Sequence, residues 1–474
     1  FVNHPADFSL KNVDIDPGHE FDDVVTQLCG AGKVFPDPQS NRYPSINNEG
    51  FTSSYDISGS SKPTRIMDCF EDGQLPILHT LAREFVVCDN WHASLPGPTW
   101  PNRFFLMAAT SGGLCSSPTS LEIIKATLFE GYGFEHGNFF DALDKMGVPW
   151  VIYEGDKFPL SFALKGMGSR VKDGFFKDFS QFDVDIKSPS FAEQFIFIEP
   201  RYGKHSFDPT GPGDFFGGNS MHPLDDVRNG EALVKSVYDC IRNSPYWDKS
   251  VLLILFDEHG GFYDHAIPGQ IVPPGDNPIN ATTDECKKFQ FDQLGVRVPA
   301  IIVSPLIPKG LIDHTPYDHT SALKTMEILF QVDPLTNRDK NANDFMHLFT
   351  LSTPRPDTPQ ALTQVISMTA HAMQETETLE TLLEERKQLK TIQTVNRLAI
   401  SPKNHPTASR PQVGFAYIGL MRVLHDKKTN HEQEWKDEFS NIQTYVDAAK
   451  FMNDAKLKIY HDLDVHQPGS LPDE

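Results

Sequence analysis

Five short runs of uninterrupted apolar residues constrain this chain most: EFVVCD (84–89), PWVIYEG (149–155), FIFIEP (195–200), VLLILFDE (251–258) and PAIIVSP (299–305). A strand with one wet face alternates apolar and polar residues. These runs do not alternate, so they read as strands covered on both faces. Helical stretches lie between them. NFFDALDKMG (138–147) closes on glycine, a common stop signal. EALVKSVYDCIRNS (231–244) sets Leu233, Val234, Val237 and Ile241 on one face. The alternation predicts an α/β fold with a mainly parallel central sheet flanked by helices. Ligands of such sheets gather beyond the carboxyl ends of the strands.

The character changes near residue 355. PRPDTPQ (354–360) reads as a linker, and after it Leu379, Leu382, Leu383, Leu389, Ile392 and Val395 form a helical stripe. Residues 429–463 form a second charged helical region. The expected organisation is a main domain over residues 1–355 and a mostly helical C-terminal region over 356–474. No apolar run approaches the roughly 18 residues of a membrane span. The net charge of −22 argues against a nucleic-acid surface. An anionic ligand would need a local metal, helix end or basic side chain to offset that field. None of the six cysteines forms a CxxC pair, which argues against a zinc finger, while buried thiols and disulfides both fit. The sequon Asn280-Ala281-Thr282 leaves the compartment open.

Five stretches can carry chemistry. In LILFDEHGGFYDH (253–265), Asp257, Glu258 and His259 follow a buried strand, with Asp264 and His265 close behind. Adjacent side chains cannot all point one way, but Gly260-Gly261 lets the backbone turn so that several converge. Carboxylate oxygens suit a divalent cation, and an imidazole suits proton transfer. A plain solvated turn would not need Asp264 and His265. In ASLPGPTWPNRFF (93–105), Thr99 follows the stiff Pro96-Gly97-Pro98, and Pro101 fits the first turn of a helix. A hydroxyl there faces free N–H groups and the positive dipole end. Thr99 can then attack phosphorus while Asn102 or Arg103 holds phosphate oxygens. The plain alternative is an N-cap threonine with a surface arginine. Last, DPGHEF places His19 in a turn, SMHPLDD places His222 before a proline, and PYDHTSA places His319 just before a helix.

Together PGPTWPNR, FIEPRYG, HPLDD and FDEHGGFYDH, with DPGHEFDD and FFDALDKMGVPWVIYEG, resemble in order the phosphoesterase family. That family includes bacterial and plant non-specific phospholipases C and a group of bacterial acid phosphatases. The resemblance covers roughly residues 15–335. It implies an alkaline-phosphatase-like α/β fold, one divalent metal ion and phosphate ester hydrolysis. Phospholipase C-type cleavage of glycerophospholipids to diacylglycerol comes first, and acid phosphatase-type monoesterase action is the alternative. By position it implies Thr99 as the nucleophile that becomes phosphorylated. Asp257 and Glu258 would bind metal, and His19, Asn102 and Arg103 would bind phosphate. His222 would assist the leaving group or activate water, with His259 beside it. Glu199, Asp225, His265 and His319 lie in or beside the same motifs without a firm role. Implied partners are a phospholipid or small phosphate ester and a peripheral membrane contact, with no nucleic acid. Trp100, Phe215 and Phe216 are candidates for a lipid-facing patch. A secreted or membrane-associated location is favoured over a cytoplasmic one.

Two departures stand out. Relatives carry an ENRSFD-like segment on their first strand, whereas NNEGF (47–51) has similar letters but follows DPGH. The chain is therefore expected to begin after that strand, without two metal ligands and a central strand. This keeps a non-catalytic truncated homologue or binding protein as a third reading. In addition, Asp225 stands in HPLDD where plant relatives read HPSHD, so proton transfer is expected to rest on His222 alone.

Overall fold

The computed structural model describes residues 13, 15–118, 131–155, 159–170, 174–202, 218–281 and 283–364. The expected helices beyond 364, and Phe215 and Phe216, lie outside the described residues. Seven strands are present among those described: β1 (Val86–Cys88), β2 (Trp150–Glu154), β3 (Phe176–Asp178), β4 (Phe195–Glu199), β5 (Leu252–Leu255), β6 (Ala300–Val303) and β7 (Leu311–Asp313). Five coincide with the apolar runs. β3 and β7 have three residues each, too few for a periodic signal.

The strands form two sheets, β3–β2–β4 and β5–β6–β1–β7, rather than one. β2 runs parallel to β3 and β4, and β1 runs parallel to β7. β6 runs antiparallel to both β1 and β5. The α/β expectation therefore holds, with β6 as the departure from parallel order. Its residues are buried throughout. A continuous apolar run reports burial on both faces and says nothing of direction.

Seven helices of seven residues or more are described: α1 (Phe21–Cys29), α2 (Phe51–Ile57), α3 (Pro76–Glu84), α4 (Thr99–Ala108), α5 (Phe139–Met146), α6 (Val227–Arg242) and α7 (His319–Phe330). α5 has the expected ends. The Asn138 side chain accepts from Asp141 N, and Gly147 closes the helix at φ 67°. α6 starts earlier than its apolar stripe, because the Asp226 side chain caps it. α3 has no capping side chain of its own. Buried Glu231 of α6 supplies one, accepting from Ile77 and Leu78 N at 2.7 and 2.8 Å.

α3 and α6 pack on β2 and β6 through Phe85, Tyr153, Tyr238 and Trp247. Trp91, Tyr317 and Phe345 fill the core around β1, β6 and α7. A buried ion pair, Arg338–Asp318 at 2.9 Å, holds the start of α7, and Arg338 also donates to Ser94 O at 3.1 Å in the loop before α4. Asp318 also accepts from Ser94 Oγ (2.9 Å) and Thr320 N (3.1 Å). The expected linker is not loose where it is described. Tyr238 Oη and Arg242 Nε donate to Pro359 O at 2.7 and 3.2 Å, and Leu362 is buried. Cys115 and Cys286 form a disulfide, while Cys29, Cys69, Cys88 and Cys240 are free thiols. Asn280 of the sequon spends its amide on Ser111 O and Gly133 O. No described helix is long and apolar enough to cross a membrane.

Candidate active site

The carboxyl ends of β4 and β5 meet on one side chain. Arg103 of α4 donates from Nε to Asp257 Oδ2 at 2.9 Å, and its Nη1 lies 3.6 Å from Glu199. It also bonds Tyr202 Oη and lies over that ring at 5.2 Å. Burial favours protonation of Asp257, but Arg103 outweighs it and holds the carboxyl below its ordinary range. Thr99 is the first residue of α4, half-buried, and four residues before Arg103, hence on the same helix face.

Asp257, Glu258 and His259 diverge, as adjacent side chains must. Glu258 Oε2 accepts from Gly260 N at 2.7 Å. His259 Nε2 meets Gln27 Oε1 at 2.8 Å, and Gln27 Nε2 donates to Gly18 O at 2.6 Å. The two glycines do what their motif suggested. Gly260 and Gly261 sit at φ 62° and 76°. A Cβ on Gly261 would come within 2.7 Å of Pro17 Cβ and 2.8 Å of Gly18 O. Only glycine lets the acidic turn press against the loop carrying Asp16 and His19.

That approach builds a second group. Asp16, His19 and His222 offer ligand atoms that all lie within 4.8 Å of one another. His222 Nε2 is 3.6 Å from Asp16 Oδ1, and the two imidazoles meet edge-on at 5.9 Å. His19 Nδ1 is held by Pro17 O at 2.7 Å, which leaves Nε2 to face the group. Burial lowers the proton affinity of His19, but Glu258 and Asp16 raise it to about 9. Burial pushes Asp16 up to about 6 against the pull of His19, and Glu258 adds to the rise. Burial and then the charge of His19 push His222 down to about 3. At neutral pH His19 is therefore charged and His222 is not. Asp16 belongs to DPGHEF, but nothing in that motif singles it out. Its three-residue spacing from His19 inside a turn is the one available signal.

Several expected roles change. Arg103 is a clamp between two carboxylates, not a free phosphate ligand. Asn102 is fully buried and its amide is spent. Its Oδ1 accepts from Leu95 N at 3.2 Å, and its Nδ2 donates to Gly97 O (2.9 Å) and Pro98 O (3.1 Å). It shapes the loop feeding Thr99 and has no group left for phosphate. His259 holds α1 and the Gly18 loop, packing against Phe51, rather than facing Thr99's clamp. His319 bridges Asp257 O (2.7 Å) and Trp91 Nε1 (3.4 Å), fixing the end of β5. Glu199 accepts from Leu160 and Ser161 N, both at 2.8 Å. Asp225, raised by burial to about 7, accepts from Ser220 Oγ and closes its own loop. His265 is exposed, while Asp264 pairs with Arg297 at 3.1 Å. Trp100 is buried against Phe104 and Tyr132, a core residue rather than a lipid-facing one.

The residues fit a divalent cation, though not where the acidic pair suggested. Asp257 and Glu258 already accept from Arg103, Glu258 N and Gly260 N. Asp16 Oδ1 is buried with no hydrogen-bond partner. Asp16, His19 and His222 form the converging donor set among the described residues. The negative field that keeps a proton on His19 would draw a cation equally well.

The Arg103 clamp thus lies at the carboxyl ends of β4 and β5, the usual ligand position of an α/β protein. Residues 2–333 match the model of the Phosphoesterase family, and the chain belongs to that family. It is 36% identical to non-specific phospholipase C1 of Arabidopsis thaliana over 379 residues, covering 77% of this chain and 65% of that protein. Non-specific phospholipase C3 of the same plant is 33% identical, with 75% and 65% covered. The chain thus spans just under two thirds of the length of these relatives. Among solved structures, a protein in the alkaline phosphatase superfamily from Vibrio parahaemolyticus matches at TM-score 0.32 and 16% identity, covering 58% of this chain and 65% of that one.

Proposed function

We propose that this chain is a phosphoric ester hydrolase of the phospholipase C type, acting on glycerophospholipids. Thr99 carries the reading. It stands at the start of α4, one turn before the Arg103–Asp257 clamp, in a chain whose relatives are non-specific phospholipases C. Thr99 Oγ attacks phosphorus and gives up its hydroxyl proton, the bond to the glycerol oxygen breaks, and that oxygen takes up one proton in exchange and leaves as diacylglycerol. Water then attacks phospho-Thr99 and releases the phosphorylated head group. Arg103 keeps Asp257 ionised, and Asn102 keeps Thr99 in place. His222 is held neutral by burial and by the charge of His19, so it serves as a lone-pair donor rather than as the leaving-group acid. A divalent cation would be held by Asp16, His19 and His222, and would offset charge on the phosphate oxygens. The Cys115–Cys286 disulfide supports an oxidising, secretory location.

The test offers the whole chain a phosphatidylcholine and an aryl phosphate, with and without divalent metal, beside Thr99→Ala. Diacylglycerol release is expected to fall by roughly a thousandfold or more in the variant. Turnover of the aryl phosphate alone would move the assignment to a phosphomonoesterase. No turnover of either would sink the hydrolase reading and leave a binding protein.

A further inference from the structure

Gln27 lies among the buried residues of α1, with Phe21, Val24 and Leu28, and is 1% exposed. A buried amide is costly unless its groups find partners. Here they do. Nε2 donates to Gly18 O at 2.6 Å and to Ser54 Oγ at 3.3 Å, and Oε1 meets His259 Nε2 at 2.8 Å. The two donor bonds fix which end of the amide faces which way. Oε1 can only accept, so the ring of His259 carries a proton on Nε2. The other ring nitrogen, Nδ1, lies 3.4 Å from Glu258 Oε2. Phe51 of α2 meets the same ring edge-on at 6.0 Å.

These partners come from separate parts of the chain. Gly18 belongs to the turn that carries Asp16 and His19. His259 belongs to the turn that carries Asp257 and Glu258, 232 residues from Gln27. The two turns also touch directly. A Cβ on Gly261 would reach within 2.8 Å of Gly18 O, the same oxygen that Gln27 holds. α1 and α2 have ties besides the amide. Gly50 N donates to Gln27 O at 3.0 Å, and Val24, Leu28, Phe51 and Tyr55 share one apolar cluster. An apolar side chain of similar size at position 27 would keep those ties and release both turns.

We propose that Gln27 is a positioning residue of the candidate site. Its amide sets the turn bearing Asp16 and His19 against the turn bearing Asp257 and Glu258. Through that spacing it governs how Asp16, His19 and His222 converge as a cation donor set. His259 is the link on the acidic side, a role that does not touch substrate. The inference rests on the cation reading given above, and bonds behind the ligands are a common means of orienting them.

The test uses the whole chain and Gln27→Leu. Ser54→Ala is the control, because it removes one bond of the same amide and touches neither turn. Amide exchange is followed without metal, and Co²⁺ alone is titrated by its visible absorption. Gln27→Leu should speed exchange at Glu20, Gly260 and Phe262 by roughly tenfold or more, while Ile301 and Ile302 of β6 stay as slow as in the parent. It should weaken Co²⁺ binding by about 10–100-fold. Ser54→Ala should do neither. In a His259→Phe background Gln27→Leu should add little, because the link is already cut. Exchange quickened equally in β6 would mean a general loss of stability and overturn the proposal. So would a Ser54→Ala chain that behaves like Gln27→Leu, full additivity with His259→Phe, or unchanged Co²⁺ affinity in Gln27→Leu. A parent chain that binds no Co²⁺ would remove the cation reading, and exchange at the two turns would still decide whether Gln27 couples them.

Discussion

Asn102 shows how one residue can serve a site without touching substrate. Its carboxamide holds the loop 95–98 by accepting from Leu95 N and donating to the carbonyls of Leu95, Gly97 and Pro98. Asn102→Ala should cost about 2–4 kcal/mol, from several lost bonds at about 1 kcal/mol each plus the unmet partners. Urea unfolding would measure it, and a loss under about 0.5 kcal/mol, the usual surface effect, would show that the loop stands without the amide. Residue type was legible here: PGPTWPNR marks a helix start and a polar group behind it. Orientation was not. Whether Asn102 and Arg103 face ligand or protein depends on Leu95, Glu199 and Asp257, which come within bonding reach of them only after folding.

At the scale of an element, α7 carries a testable charge. Glu327 is buried on it near Asp339, with Lys324 3.8 Å away. Burial, and then the neighbouring carboxylate of Asp339, raise its carboxyl from the ordinary 4.5 to about 9. Between those values the folded state holds a proton that the unfolded state has lost. Stability from this group is fully present below about pH 4.5 and drains away as pH rises toward 9. Glu327→Gln keeps the neutral shape, so its advantage over the parent should grow between pH 5 and 8.5. Denaturant midpoints at the two pH values would show this, and parallel pH profiles would refute it. α7 was foreseen only as a helix following His319. Asp318, its cap, lies in the same motif, but the Arg338 partner that buries the pair comes from 20 residues along.

At the scale of the whole molecule, the Cys115–Cys286 bond closes a separation of 171 residues. It joins the segment after α4 to an aromatic cluster with Phe21, Phe105, Phe289 and Phe291. Removing it should cost about 2–5 kcal/mol. Reductant and Cys286→Ser should lower Tm by the same amount, and together by no more. A Tm unmoved by either would deny the pairing. The same contrast runs through the molecule. Local pattern announced five strands, the helix starts at Asn138 and Thr99, and the turn at Gly260-Gly261, because periodicity and backbone freedom act over a few residues. It also placed Thr99, Asp257, His19 and His222 among residues with chemistry. Only tertiary packing decided that β6 runs antiparallel, that the sheets part between β4 and β5, and that Cys115 finds Cys286. It likewise gave Arg103 to Asp257 and drew Asp16, His19 and His222 into one donor set. Direction, pairing and proton affinity depend on neighbours distant in sequence, whose position no local pattern carries.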